Sequence, residues 1–199
     1  MRITGGALRS RRLVAPAGTS TRPTSDRVRE ALFSILAGYV PMRGARVLDL
    51  YAGTGALGFE AISRGADHVY LVDSAPDAVR AIRANADALG VAGSVTVVPS
   101  PVARAFTGAL GAARPFDVVL VDPPYADVAS GAVAKALGAA GLRDRVDPKG
   151  VVALEHASRG DAPTLSGFDA VDVRRYGDTA ISFFVLASAP QGEASGAQE

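Results

Sequence analysis

Val118-Val119-Leu120-Val121-Asp122-Pro123-Pro124-Tyr125 is the stretch on which the reading of this chain turns. Four apolar, mostly β-branched residues in an unbroken run read as a strand buried on both faces, the habit of a parallel sheet. Two prolines cannot continue that strand, because they donate no hydrogen bond and fix φ. The chain therefore turns at the carboxyl end of a central strand, where open α/β sheets bind their ligands. There it presents a carboxylate, a stiff Pro123-Pro124 backbone with free carbonyls, and an aromatic face. Asp122 and the Pro123 carbonyl can accept the two hydrogens of an exocyclic amino group. Tyr125 can stack on the flat ring that carries it, using its ring face rather than its hydroxyl. The alternative is a proline-rich turn with Asp122 as a turn former.

Working outward, strands and helices alternate. Val47-Leu48-Asp49-Leu50 predicts a strand, and 56–64 a helix closed by Gly65. Strands follow at 68–72 and 95–98. Between them lies a helix opened by Pro76, with Val79, Ile82, Ala86 and Leu89 on one face and Gly90 as its stop. A short helix at 102–110, a strand at 117–121, a helix at 129–140 and a strand at 151–155 continue the pattern. Residues 170–176 and 180–187 have no helix between them and predict an antiparallel hairpin. The fold class is therefore α/β, a doubly wound parallel sheet with a terminal antiparallel hairpin. Ahead of it, a helix begins near Asp26, capped by Thr24 or Ser25, and carries Val28, Leu32, Ile35, Leu36 and Tyr39 at helical spacing. The domain division is a basic extension at 1–24, one α/β domain at 25–187 and a small, polar, disordered tail at 188–199.

Composition narrows the classes. The 199 residues, 48% of them hydrophobic, make one domain with a sizeable core. With no Cys, there is neither a disulfide framework nor thiolate chemistry. His68 and His156 are far apart in sequence, so no metal site is expected. No apolar stretch approaches the roughly 18 residues of a membrane span, and the N-terminus lacks an apolar signal segment, so a cytoplasmic protein is expected. Net charge is +1, but residues 1–29 hold seven arginines against Asp26, giving +6 there and −5 elsewhere. Such a basic arm points to a polyanion, with Arg2, Arg9, Arg11, Arg12 and Arg22 as candidate contacts. Gly5-Gly6 could turn a short hairpin within it, and a solvated basic hairpin is the alternative. The arm is expected to be separable from any cofactor site.

Asp49-Leu50-Tyr51-Ala52-Gly53-Thr54-Gly55-Ala56-Leu57-Gly58 places a G-x-G-x-x-G between the first strand and its helix. Glycines there permit a tight turn and close approach of a ligand, and the pattern alone also suits a dinucleotide. Asp49 could hold an ammonium group and would repel a pyrophosphate; a capping acid is the alternative. Asp73, 18 residues beyond Gly55, occupies the position from which an acid grips ribose hydroxyls.

Asp49 with Gly53 and Gly55, then Asp73, then Asp122-Pro-Pro-Tyr125 resemble the ordered motifs of the S-adenosylmethionine-dependent amino-methyltransferases. Arg2-Ile-Thr-Gly-Gly-Ala-Leu-Arg-Ser-Arg-Arg-Leu13 and Arg22-Pro-Thr-Ser-Asp-Arg-Val-Arg-Glu-Ala-Leu-Phe33 resemble the RsmD family, over roughly residues 1–187. The resemblance implies a seven-stranded, Rossmann-like class I methyltransferase sheet. It implies methyl transfer from S-adenosylmethionine to guanine N2 in 16S ribosomal RNA, with a small-subunit assembly particle as partner and the enzyme a monomer. Asp122, Pro123, Pro124 and Tyr125 are then catalytic; Asp49, Tyr51, Gly53, Gly55, Asp73 and Ser74 bind the cofactor. Ser100 and Val102 lie where the adenine is held, although Ser100-Pro101 replaces the acidic residue common there. Within the methyltransferases, a DNA adenine-N6 or protein glutamine substrate competes. A nicotinamide-dependent oxidoreductase leaves Asp49, the Asp-Pro-Pro-Tyr turn and the arm unexplained, and a non-catalytic RNA-binding module makes the motif pair accidental.

Overall fold

A computed structural model describes residues 1–15, 25–107, 110, 111 and 113–188. The expected tail beyond Ser188, together with Arg22 and Thr24, lies outside them.

Helix α1 (Asp26–Tyr39) starts at Ser25, whose hydroxyl accepts the Val28 N–H at 3.2 Å, and buries Val28, Leu32, Phe33 and Leu36. Strand β1 (Arg46–Leu50), α2 (Ala56–Ser63), β2 (His68–Asp73), α3 (Pro76–Leu89) and β3 (Val95–Pro99) follow as the alternation predicts. Next come β4 (Phe116–Val121), α4 (Tyr125–Ala129), α5 (Ala132–Ala139), β5 (Val146–Ala157), β6 (Phe168–Tyr176) and β7 (Thr179–Leu186). All seven strands form one sheet in the order β3-β2-β1-β4-β5-β7-β6, with β1 to β5 parallel and β7 antiparallel to both its neighbours. The doubly wound sheet and its terminal hairpin are therefore as expected.

Two local readings differ. The helix expected over 102–110 is a 3-10 turn at Val102–Thr107. The helix expected over 129–140 is two short helices, because Gly131 takes a left-handed φ of 76° between them and α4 begins as early as Tyr125. The arm doubles back on itself: an antiparallel bridge joins Arg2 and Arg12, with the Ile3 N–H on the Arg11 carbonyl at 3.0 Å and the Leu13 N–H on the Met1 carbonyl at 3.1 Å.

Strand side chains alternate between two cores. Val47, Val69, Leu71, Val118 and Leu120 face α1, α2 and α3; Leu48, Leu50, Val72, Val119 and Val121 face α5 and the 102–107 turn. The arm belongs to the first core. Ile3 is 1% and Leu13 is 6% exposed, and both pack in the cluster that holds Phe33 and Phe59. Polar ties add to that pairing. The fully buried Glu60 of α2 accepts the N–H groups of Thr4 and Gly5 and the Thr4 hydroxyl, each at 2.8 Å, and also pairs with Arg64. Arg29 of α1 stands 3.5 Å from the same carboxylate. Gly6 (φ 76°) passes so close to the Ser63 carbonyl that any Cβ would collide with it. The glycine pair lies in the segment that reverses the chain, and its lack of side chains also permits this approach to α2.

Candidate active site

The register brings the predicted residues together. Leu50 stands level with Val72 of β2 and Val121 of β4, and Val121 level with Leu154 of β5. One residue further on, Asp73, Tyr51, Asp122 and Glu155 therefore lie in a row along the carboxyl edge of the sheet. The winding reverses between β1 and β4, so this edge contains the topological switch point.

On the β1–β2 side, the Asp73 carboxylate accepts the Gly53 N–H with one oxygen and the Ala75 N–H with the other, both at 2.8 Å. This fixes the glycine loop against β2. Each carboxylate oxygen keeps acceptor capacity for a hydroxyl. Gly55 (φ 78°) caps α2, and a Cβ there would lie 2.5 Å from the Phe59 ring. Tyr51 also adopts a left-handed backbone, φ 61°, a conformation that costs a non-glycine residue roughly 1–2 kcal/mol. Strain of this kind clusters at functional sites. Tyr51, Asp73, Ser74, Ser100 and Val102 line one cavity of about 200 Å³, together with Ala136 of α5. Five of the predicted cofactor residues thus share a single hollow, and Ser100 is held there by its N–H on the Asp73 carbonyl at 3.1 Å.

Asp49 lies beneath the loop, 1% exposed. Its Oδ2 accepts the Gly58 N–H at 2.8 Å, as a capping acid would, but its buried Oδ1 has no hydrogen-bond partner among the described residues. Burial pushes this carboxyl up to about 8; the Gly58 N–H opposes the rise, and the charges of Asp122 and Asp73 add to it. Three carboxyl groups therefore converge, and Oδ1 of Asp49 is left unfilled. A ligand carrying positive charge suits this edge, and a pyrophosphate does not.

On the β4 side, Asp122 donates its N–H to the Leu50 carbonyl at 3.4 Å, tying the Asp122-Pro123-Pro124-Tyr125 turn to β1. Pro123 is buried, Pro124 exposed and Tyr125 half-buried. The Tyr125 hydroxyl donates to Glu155 at 2.9 Å and lies 2.7 Å from the Thr179 hydroxyl. Glu155 and Thr179 were not read from the sequence. A charged residue closing the apolar run 151–154 was the available signal for Glu155, whereas Thr179 had none.

The arm is not the appendage expected. Asn85 of α3, 1% exposed, accepts the Val14 N–H at 2.8 Å and donates to the carbonyls of Val14 and Thr54, both at 3.0 Å. The arm is thus bonded to the glycine loop through one side chain, a tie that arises only when α3 packs beside both. Arg2 is engaged by Asp26 at 2.8 Å and Arg11 by the Ala88 carbonyl at 2.6 Å. Arg9 and Arg12 are exposed, with no ion pair to a described residue. Among the described residues no cluster of His, Asp and Glu could hold a metal ion, and no helix is long and apolar enough to cross a membrane.

A family model described as "Conserved hypothetical protein 95" matches residues 1–185. The chain belongs to that family. Its relatives include the "Putative rRNA methyltransferase YlbH" of Bacillus subtilis, 33% identical over 186 residues that cover 92% of this chain and 98% of that protein. Ribosomal RNA small subunit methyltransferase D of Escherichia coli is 41% identical over 125 residues, 63% of this chain and 60% of that enzyme. Among solved structures, the hypothetical protein TTHA0928 of Thermus thermophilus superposes with a TM-score of 0.77 at 36% identity, covering 94% of this chain and 99% of that one. The E. coli "Putative methyltransferase yhhF" superposes with a TM-score of 0.76 at 27% identity, covering 95% and 99%. The RsmD family expected from the motifs is the family found, and the conserved hypothetical protein 95 fold is that of the class I methyltransferases.

Proposed function

We propose that this protein transfers a methyl group from S-adenosylmethionine to the exocyclic N2 amino group of a guanine in 16S ribosomal RNA, acting in the cytoplasm as a monomer on a small-subunit assembly particle. One observation carries the reading. The Asp122-Pro123-Pro124-Tyr125 turn is bonded to the strand end that bears Asp49, whose buried Oδ1 is unfilled. That juxtaposition supports an amino-group acceptor beside a cation site.

The residues fit the cofactor. Asp49 would take its ammonium group, Asp73 its ribose hydroxyls, and the cavity bounded by Tyr51, Ser74, Ser100 and Val102 its adenine. When bound, it supplies an electrophilic methyl group. The chain's own part is to present the nucleophile. A guanine amino nitrogen is weak because its lone pair is delocalised into the ring. Asp122 and the Pro123 carbonyl accept its two hydrogens and hold it as positive charge develops, so they act on the transition state more than on the ground state. The proton then leaves through Asp122 or water. The base must leave its stack to reach the turn, and stacking on Tyr125 returns roughly 1–3 kcal/mol of that cost. Arg9 and Arg12 on the arm face solvent and suit phosphate contacts; Arg2 and Arg11 would join them by exchanging their present partners.

The test is transfer of tritiated methyl to naked RNA and to small subunits from a strain lacking the enzyme, followed by nucleoside analysis. Label in N2-methylguanosine is expected. Label in an adenine nucleoside, in DNA or in protein, or no transfer, would refute the reading.

A further inference from the structure

The sequence offers Tyr125 as a ring face; the structure shows a phenol held at two points. Its hydroxyl donates to Glu155 Oε1 at 2.9 Å and meets Thr179 Oγ1 at 2.7 Å. The single phenolic proton goes to the carboxylate, so the Thr179 hydroxyl donates to the phenolic oxygen. Burial pushes the Tyr125 hydroxyl up to about 12; the Thr179 bond opposes this, and the Glu155 charge adds to it, so the phenol keeps the proton this arrangement needs.

The two partners come from different strands. Glu155 is 7% exposed near the carboxyl end of β5, and Thr179 opens β7 after the Gly177-Asp178 turn. That turn is itself fastened to β5, because Ser158 donates its N–H to the Asp178 carbonyl at 2.9 Å and its hydroxyl to the Gly177 carbonyl at 2.6 Å. Tyr125 begins a helix of five residues directly after two prolines. Its backbone is set by that turn, but its half-buried ring would otherwise sample several staggered rotamers. A ring that stacks on an extruded base must already stand in one of them, since every rotamer frozen on binding weakens the complex. A buried carboxylate is costly unless its hydrogen bonds are filled, and the phenol fills one.

We infer that Glu155 and Thr179 are positioning residues that clamp the Tyr125 ring for the acceptor base, making the terminal hairpin part of the acceptor site. The inference rests on the amino-methyltransferase reading above. A phenylalanine at 125 keeps the face and loses the clamp.

The experiment measures kcat and KM for RNA or small-subunit methylation, and S-adenosylhomocysteine affinity by calorimetry, for the wild type and for Tyr125→Phe, Thr179→Val, Glu155→Leu, Glu155→Gln and the double variant Tyr125→Phe/Thr179→Val. Tyr125→Phe and Glu155→Leu each lower kcat about tenfold, the worth of one charge-assisted hydrogen bond, and Thr179→Val about threefold. S-adenosylhomocysteine affinity stays unchanged. Glu155→Gln keeps an acceptor and recovers most of the Glu155→Leu loss. The double variant is no worse than Tyr125→Phe, because both changes break one unit. Wild-type kcat in Tyr125→Phe and Thr179→Val overturns the clamp while leaving the proposed function standing, and these two decide the matter if Glu155→Leu does not fold. Losses that add in the double variant, or that come with lost S-adenosylhomocysteine binding, mark a general structural role and also overturn it. A wild type that transfers no methyl group to either substrate overturns the function and the clamp together.

Discussion

Asp49→Asn should abolish a pH dependence that the wild type owes to one buried carboxyl. Burial, with Asp122 beyond β4 and Asp73 at the end of β2, raises this group from 3.8 to about 8. At pH 7 it is then only about one-tenth ionised, at pH 6 about one-hundredth and at pH 8 one-half. An ammonium group on the ligand needs the ionised form, so apparent affinity scales with that fraction. S-adenosylhomocysteine carries the ammonium without the sulfonium and isolates the effect. Its affinity should rise about ninefold from pH 6 to 7 and about fivefold from pH 7 to 8, then level off. Binding at pH 7 should release about 0.9 proton, read as a calorimetric enthalpy that varies with the ionisation enthalpy of the buffer. The carboxamide of the Asp49→Asn variant still accepts the Gly58 N–H but cannot ionise, so the variant's affinity should be flat with pH. The same shift acts on the fold in the opposite direction. A carboxyl raised in the folded state favours folding below about pH 4. It withdraws that support by roughly 1.4 kcal/mol per pH unit until about pH 8. Asp49→Asn should therefore gain in melting temperature over the wild type between pH 6 and 8. Wild-type affinity that is constant from pH 6 to 8, with no buffer-dependent enthalpy, would refute the assignment of Asp49 to the ammonium.

Asp122→Ala should cut turnover by about 10²–10³ while S-adenosylhomocysteine binds no more weakly, because the lost group is proposed to serve the acceptor; single-turnover kinetics and calorimetry check the pair. Gly55→Ala forces a Cβ to 2.5 Å from Phe59 at φ 78°, so urea denaturation should show a loss of roughly 2–4 kcal/mol with weakened cofactor affinity. Glu60→Ala removes the carboxylate shared by Thr4, Gly5, Arg64 and Arg29, and should destabilise the whole domain by about 3–5 kcal/mol in the same assay.

Elements with a local cause were legible in the chain itself. The strand-like runs at 47–50 and 118–121 became the central parallel pair β1 and β4. Pro76 and Gly90 bounded α3, and two strand-like runs without a helix between them became β6 and β7. One error was also local in cause: Gly131 splits a helix that apolar spacing reads as continuous.

Hydrophobic period, proline and glycine stereochemistry act over a few residues, and these determined the strand–helix order, the glycine loop and the Asp-Pro-Pro-Tyr turn after β4. Strand order and helix packing decided everything that needs two distant segments to meet. Tyr125 reaches Glu155 and Thr179, 30 and 54 residues away, because β5 and β7 are neighbours beside β4. Thr4 reaches Glu60 across 56 residues, and Asn85 links the arm to the glycine loop because α3 packs beside both. The ionisation of Asp49 belongs to the same class. Its carboxyl is that of any aspartate in the sequence, and it becomes a group that titrates near 8 only when the packed sheet excludes water and brings Asp73 and Asp122 near.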